Sequence, residues 1–114
     1  LTGKYSTTKK PDSGRLIENS MYTARYGEDF YYEVAENFTA HAESRGVHPA
    51  TLAVAWVLAH PGVTSPIIGA RNLQQLASSL AAVDVDMTRA WWDEIAELSY
   101  MPPPAHDRLE VQKR

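Results

Sequence analysis

The amino-acid sequence predicts an α/β fold that is mostly helical within this chain. Two helical patterns follow one another, a short apolar run of β type comes next, and a glycine loop then leads into further helices. This alternation is typical of the end of a βα-repeat fold. A single buried strand cannot satisfy its own backbone N–H and C=O groups. It therefore pairs with sequence outside this chain or with another subunit, or the strand prediction is wrong.

The composition limits the size and the class of the protein. With 114 residues, 44% of them hydrophobic and 22% charged, the chain is globular and suffices for one domain at most. The net charge of −3 gives no basic field for nucleic acid or an anionic membrane. The absence of cysteine excludes disulfides and thiolate chemistry, and it fits a cytoplasmic protein. No apolar stretch approaches the ~20 residues of a membrane span.

A polar segment opens the chain, and residues 2–15 contain Gly3, Pro11 and Gly14. Loops of roughly a dozen residues or more in compact domains are usually functional or disordered. The chain starts at Leu1 without an initiator methionine or a signal peptide. We therefore expect it to be joined to preceding sequence in mid-element.

The first helix is predicted over residues 29–45. Phe30, Val34 and Phe38 recur at every fourth position, as on the buried face of a helix. Gly46 then supplies the left-handed residue at which helices commonly stop.

The second helix begins where Pro49 takes the first helical position after His48. It ends at the His-Pro-Gly run of residues 60–62. The residues on one of its faces are Leu52, Ala55, Trp56 and Ala59. Since the segment is apolar almost all round, we expect this helix to be buried.

Residues 63–68 form the β-type run, which Gly69 closes. Ile67 and Ile68 are apolar at consecutive positions, and a strand without alternation is usually buried on both faces of a parallel sheet. Pro66 weakens the strand prediction, because proline cannot donate to a ladder.

Two further helices are predicted from their N-terminal caps. Asn72, with Gln75 three residues on, is a variant of the capping box, and Thr88 caps the fourth helix. The apolar stripe after Asn72 consists of Leu73, Leu76, Leu80 and Val83, and the stripe after Thr88 consists of Trp91, Ile95 and Leu98. The triple proline at 102–104 enforces an extended tail.

The junction between the predicted strand and the third helix carries the candidate binding chemistry. Gly69 permits a turn with a ligand close by, and Arg71 brings a permanent cation with a planar fork. Phosphate binds at helix N-termini because unpaired N–H groups and the positive end of the helix dipole converge there. An alternative stays open, in which Gly69 is only a turn, Asn72 only a cap and Arg71 only a solvated side chain.

Three blocks of the chain resemble the C-terminal end of the aldo-keto reductase family, in the family's order. They are LTGKY, then GVHPATLAVAWVLAHPGVTSPIIGAR, and SPIIGARNLQQL with the LAAVDVDMT passage after it. The resemblance implies a (β/α)8 TIM barrel that binds NADP(H) and reduces aldehydes or ketones by hydride transfer. This chain would be its C-terminal part, supplying the last strand and several outer helices.

The resemblance also implies how one barrel domain divides along this chain. The segments are 1–28, the long loop after the seventh strand; 29–62, helices; 63–71, the eighth strand and phosphate loop; 72–99, helices; and 100–114, the C-terminal tail. The remainder of the barrel, upstream of Leu1, is then a partner of this chain.

By matching positions, the resemblance implies a cofactor site. Gly69, Ala70 and Arg71 would lie at the adenosine 2′-phosphate, where arginine suits a doubly charged group. Gln75 would reach the same phosphate or the ribose.

Further cofactor contacts are implied at positions that match the family less closely. Ser78 and Ser79 occupy positions where the family commonly has an acidic residue and an asparagine contacting adenine, and their short hydroxyls reach less far. Lys4 and Arg15 match basic positions in a loop that folds over the pyrophosphate and adenosine in related enzymes. The family's catalytic Asp, Tyr, Lys and His lie upstream, so this chain alone is expected to be inactive.

Other chemistry-bearing residues are interpreted as structural, and no metal site is expected. The tyrosines in question are Tyr5, Tyr22, Tyr26, Tyr31 and Tyr32, and the histidines, which lack metal-ligand spacing, are His41, His48, His60 and His106. Besides part of a reductase with a small carbonyl substrate, two classes stay open. One is a free-standing helical interaction module derived from such an enzyme. The other is a helix-turn-helix binding module, against which the net acidity argues.

Overall fold

The fold is taken from a computed structural model that describes Leu1, Gly3, Lys4, residues 6–8, Pro11, Asp12 and residues 29–99. These residues form four α-helices: α1, Asp29–Ser44; α2, Pro49–Leu58; α3, Leu73–Leu80; and α4, Arg89–Ala96. A short 3-10 helix, Ala81–Asp84, lies between α3 and α4. The four predicted helices are therefore confirmed, while the predicted tail at 100–114 lies outside the described residues.

Local signals begin and end these helices: Gly46 and Thr88 act as the sequence predicts, and His48 adds a cap that was not predicted. Gly46, with φ of 68°, takes the left-handed conformation just after α1. The ring nitrogen Nδ1 of His48 accepts from the Ala50 N–H at 3.1 Å and so caps α2. The hydroxyl of Thr88 accepts from the Trp91 N–H at 3.2 Å and caps α4. Each contact supplies an N–H at a helix start with an acceptor that the helix itself cannot provide.

The buried core joins α1, α2 and α4. Phe38 and Ala42, one helical turn apart on α1, pack with Leu52 of α2 and Ile95 of α4. Ala42 and Leu52 are fully buried. A small residue on α1 next to a large one on α2 lets the two helices approach closely, which fills the space between them.

Polar contacts between α1 and α4 surround this core. The indole N–H of Trp91 donates to Nε2 of His41 at 2.9 Å. Arg45 forms an ion pair with Glu94 at 2.5 Å, and its guanidinium lies 5.3 Å from the centre of the Trp91 ring. The indole of Trp91 is thus covered by the cation that directly follows α1 and is held at its N–H by a histidine of α1.

The predicted strand differs from the structure. Residues 63–70 are irregular, and the described part of the chain contains no β-strand. Ile67 was expected to be buried on a sheet, but its side chain is fully exposed, whereas Ile68 is half-buried. A strand exists only where a second strand offers it a ladder, and the described residues supply no such partner.

Most of the apolar stripe that begins on α3 stays exposed, although Leu76 is half-buried. Leu73 is 84% exposed, Val83 74% and Leu80 54%. α3 contacts α2 through its opposite side, where the hydroxyl of Thr51 donates to the carbonyl of Ser78 at 2.6 Å. None of the helices in the described residues combines the length and the hydropathy that crossing a membrane requires.

Candidate functional site

Two side chains close the turn that leads into α3. Oδ1 of Asn72 accepts from the N–H of Gln75 at 2.9 Å, which confirms the predicted cap. Oε1 of Gln75 in turn accepts from the N–H of Arg71 at 2.9 Å. In a standard capping box the glutamine would reach the N–H of the cap residue itself, so the return bond here is displaced by one residue and holds Arg71 instead of Asn72.

Unpaired donors remain at this turn. The N–H groups of Leu73 and Gln74, the first two of α3, have no partner among the residues that the structure describes. The side chain of Arg71 is exposed and forms no ion pair in the same part of the chain. Free amide donors, the positive end of the helix dipole and a guanidinium together favour an anion.

Gly69 and Ala70 precede this cation and are both exposed. A Cβ atom added to Gly69 would meet no atom within 4 Å, and the φ of Gly69 does not lie in the left-handed region. The turn at Gly69 therefore does not use the left-handed backbone conformation that favours glycine. What the structure shows at Gly69 is open space around the backbone, which leaves room for a ligand to approach.

Ser78 and Ser79 lie further along α3 and are half-buried. The hydroxyl of Ser78 donates to the carbonyl of Gln74 at 3.0 Å, one turn back in the same helix. The carbonyl of Ser78 accepts the hydroxyl of Thr51, which is buried. Sequence reasoning missed Thr51; its position on the otherwise apolar α2 was the signal, because a buried hydroxyl requires a partner.

The predicted basic residues of the opening loop are only partly placed. Arg15 lies outside the described residues, and Lys4 is half-buried. Its neighbour Gly3, with φ of 76°, has the side chains of Thr39 and Pro49 within 4 Å of the point where a Cβ would stand. These contacts tie the loop around Lys4 to α1 and to the start of α2, whereas Arg71 and Gln75 stand at the start of α3.

A second pair of contacts holds the same loop. The backbone N–H and the hydroxyl of Thr7 both donate to Oε1 of Glu36, at 2.7 and 2.6 Å. The two bonds hold the pKa of Glu36 below its ordinary value, because they favour the charged carboxylate. The bond from the Thr7 hydroxyl has the larger effect, and the bond from the Thr7 backbone N–H comes second. The loop is therefore attached to α1 by a charge-assisted contact.

The histidines serve as hydrogen-bond acceptors in the fold. Besides His41 and His48, the Nδ1 atom of His60 accepts from the Gly62 N–H at 2.9 Å. His106 lies outside the described residues, as do Tyr5, Tyr22 and Tyr26, while Tyr31 and Tyr32 belong to α1. Within the described ranges no three His, Cys, Asp or Glu side chains are grouped so that they could hold a metal ion.

The site is thus a turn in which an arginine precedes an open helix N-terminus, a class of element that favours anions. The sequence model described as the Aldo/keto reductase family matches residues 1–99. The chain therefore belongs to the aldo/keto reductase family. This family implies a (β/α)8 barrel.

The chain is also similar in sequence to several curated proteins. The chain is 32% identical over 98 residues to Protein tas of Escherichia coli strain K12, which covers 86% of this chain and 27% of that protein. It is 36% identical over 87 residues to a probable voltage-gated potassium channel subunit beta of Arabidopsis thaliana, covering 75% of this chain and 26% of the relative. To the 6-dehydroglucose reductase of Agrobacterium fabrum it is 33% identical over 57 residues, 50% of this chain and 19% of the relative. The chain spans about a quarter of the length of the relatives that it matches most fully.

Proposed function

We propose that this chain is the C-terminal part of an NADP(H)-dependent aldo-keto reductase, and that it binds the adenosine 2′-phosphate of the cofactor. The observation that carries the proposal is the exposed guanidinium of Arg71 at the open start of α3, which has no ion-pair partner among the described residues. Family membership supports a nicotinamide cofactor as the ligand, since members generally use NAD(P)H. The name of one relative, a 6-dehydroglucose reductase, supports a carbonyl group as the site of reduction.

The residues present fit a phosphate monoester. A guanidinium presents two parallel N–H donors that match phosphate oxygens, and such charge-assisted hydrogen bonds are roughly twice as strong as neutral ones. The N–H groups of Leu73 and Gln74 add neutral donors at the positive end of the helix dipole. The open space at Gly69 and the exposure of Ala70 leave the backbone accessible. In this proposal Lys4, Arg15, Ser78 and Ser79 are secondary contacts with the rest of the cofactor.

The bound cofactor supplies a hydride to an aldehyde or ketone in the complete enzyme. The proposed task of this chain is to bind and orient the phosphate end of the cofactor, which carries binding energy but no reacting atom. We expect this chain alone to be inactive, because the family's catalytic Asp, Tyr, Lys and His match no residue of this chain. Binding energy gained far from the reacting atoms can hold the nicotinamide in place for the chemistry.

The proposal is tested by Arg71→Ala in the complete protein. Loss of a charge-assisted hydrogen-bond pair costs about 1.5–3 kcal/mol, so the Kd for NADPH should rise roughly tenfold to a hundredfold. The Kd for NADH should change less than about threefold, because NADH carries no 2′-phosphate. Arg89→Ala is the matched control, since Arg89 is an exposed arginine of α4 that pairs with Asp93. An equal loss of affinity for both cofactors, or no loss for NADPH, would exclude the 2′-phosphate assignment.

The exposed apolar residues support a partner for this chain. Ile67 and Leu73 are 101% and 84% exposed, and both lie next to the proposed site. We propose that the remainder of the barrel covers them, with the segment 63–71 completing its ladder there as the eighth strand. Large contiguous apolar patches on a soluble protein mark such contacts. The competing class, a free-standing helical module, predicts a cooperative thermal unfolding transition of the 114-residue chain alone without NADPH.

A further inference from the structure

We propose that Gln75 is a positioning residue, whose side-chain oxygen holds Arg71 in its binding conformation. This inference rests on the proposed function, because it concerns the same arginine. It adds to what the family resemblance implies, namely that Gln75 reaches the phosphate or ribose directly, because it assigns a separate task to the side-chain oxygen.

The geometry of the turn assigns Gln75 two simultaneous tasks. Its own N–H donates to Oδ1 of Asn72 at 2.9 Å, and its side-chain Oε1 accepts from the N–H of Arg71 at 2.9 Å. A backbone N–H can only donate, so the side-chain atom that faces Arg71 must be the oxygen. The side-chain oxygen of Gln75 is therefore engaged with the chain, in a bond that a phosphate, which offers only acceptors, could not replace.

The bond from the Arg71 N–H to Gln75 fixes a residue that lies outside α3. Arg71 precedes the cap residue Asn72 and lies outside the helix. Its side chain is exposed and forms no ion pair among the described residues. The bond to Gln75 thus fixes the backbone from which the guanidinium extends. Losing it lowers the fraction of the protein in the binding conformation, and apparent affinity falls by that fraction.

The neighbouring residue provides a matched control. Gln74 is also exposed, lies on the same turn of α3, and makes no side-chain hydrogen bond within the described part of the chain. Methionine has nearly the length of glutamine and a high helix propensity, but its thioether is a poor acceptor. Gln75→Met therefore removes the acceptor with little change in shape, and Gln74→Met makes the same change where no bond exists.

The first measurement needs no cofactor. Amide hydrogen exchange at Arg71 in the ligand-free complete protein should speed up severalfold in Gln75→Met and remain unchanged in Gln74→Met. Gln75→Glu, which retains an acceptor oxygen, should preserve the slow exchange. Unchanged exchange in Gln75→Met would show that the bond does not hold Arg71, and it would overturn the inference.

The second measurement is the Kd for NADPH and NADH, by titration of cofactor fluorescence. Gln75→Met should raise the Kd for NADPH about threefold to tenfold, the size of one neutral hydrogen bond, and leave the Kd for NADH unchanged. In an Arg71→Ala background the same substitution should have no further effect, because a positioning residue acts only through the residue that it holds.

The outcomes separate this inference from the proposed function. If Gln75→Met weakens NADPH binding by the same factor with and without Arg71, Gln75 contacts the cofactor itself and the inference fails. If Arg71→Ala removes the preference for NADPH while Gln75→Met does nothing, the inference fails and the proposed function stands. If Arg71→Ala leaves the preference intact, the proposed function fails, and the exchange measurement still decides whether Gln75 holds the Arg71 backbone.

Discussion

Trp56 and Trp92 hold one another by reciprocal hydrogen bonds. The indole N–H of Trp56 donates to the carbonyl of Trp92 at 3.1 Å, and the indole N–H of Trp92 donates to the carbonyl of Trp56 at 2.9 Å. Their rings stack with centres 4.9 Å apart and planes 6° from parallel. The guanidinium of Arg89 lies 4.8 Å from the centre of the Trp92 ring. The pair joins α2 to α4 across 36 residues of sequence.

Trp92→Phe tests the contribution of this pair. The substitution keeps an aromatic ring but removes one N–H donor and leaves the half-buried carbonyl of Trp56 without its partner. We expect the free energy of unfolding to fall by about 1–2 kcal/mol, measured by urea denaturation and far-UV circular dichroism. Trp91→Phe is the comparison and should cost less, because the acceptor that it frees, on the His41 side chain, can rotate toward water. An equal loss of unfolding free energy in the two variants would mean that the hydrogen bond to the Trp56 carbonyl stabilises the fold no more than the bond to the His41 side chain.

Gly46→Ala and Gly69→Ala form a second pair. Neither added methyl group would meet an atom within 4 Å, so the two positions differ only in backbone conformation. Gly46 has φ of 68°, where an L-residue is strained, and its substitution should cost about 1 kcal/mol of stability. Gly69→Ala should change stability by less than about 0.5 kcal/mol. The midpoint of urea unfolding distinguishes the two, and similar losses would contradict the conformational explanation.

The contact between Thr7 and Glu36 predicts a pH dependence. Because its pKa is lowered in the folded chain, Glu36 binds its proton more weakly there than in the unfolded chain. The contact therefore stabilises the fold fully above the ordinary pKa of glutamate, and this stabilisation is lost as the pH falls through the lowered pKa. Thr7→Val removes the hydroxyl, keeps the backbone N–H, and should raise the pKa of Glu36 part of the way back. Carboxyl-carbon NMR titration measures this shift, and an unchanged titration would show that the hydroxyl is not the main cause.

Leu73→Ala tests whether the remainder of the barrel covers α3. Leucine and alanine have similar helix propensities, so the substitution should be almost neutral if Leu73 stays 84% exposed. If the proposed partner covers Leu73, the complete protein should lose about 2–5 kcal/mol of stability, as for other buried leucines. Gln74→Ala, one residue further along the helix, is the control and should change stability by less than about 0.5 kcal/mol. A neutral Leu73→Ala in the complete protein would mean that this face remains in water.

The helices were predictable because their signals are local. The fourfold spacing of Phe30, Val34 and Phe38 marks α1, and the Asn72 and Thr88 caps mark the starts of α3 and α4 within one turn. A hydrogen bond between residues three or four positions apart depends on little beyond the intervening sequence. The candidate turn was predictable for the same reason, since Arg71, Asn72 and Gln75 are neighbours in sequence.

What the sequence alone determined is therefore the set of helices, their ends and the position of the candidate turn. The tertiary structure decided which groups meet: Thr51 with the Ser78 carbonyl, Trp56 with Trp92, and the loop at Thr7 with Glu36. It also decided that residues 63–70 form no strand among the described residues and that Ile67 is exposed. These outcomes depend on partners that are distant in sequence, and a strand or a buried hydroxyl is stable only when such a partner lies opposite it.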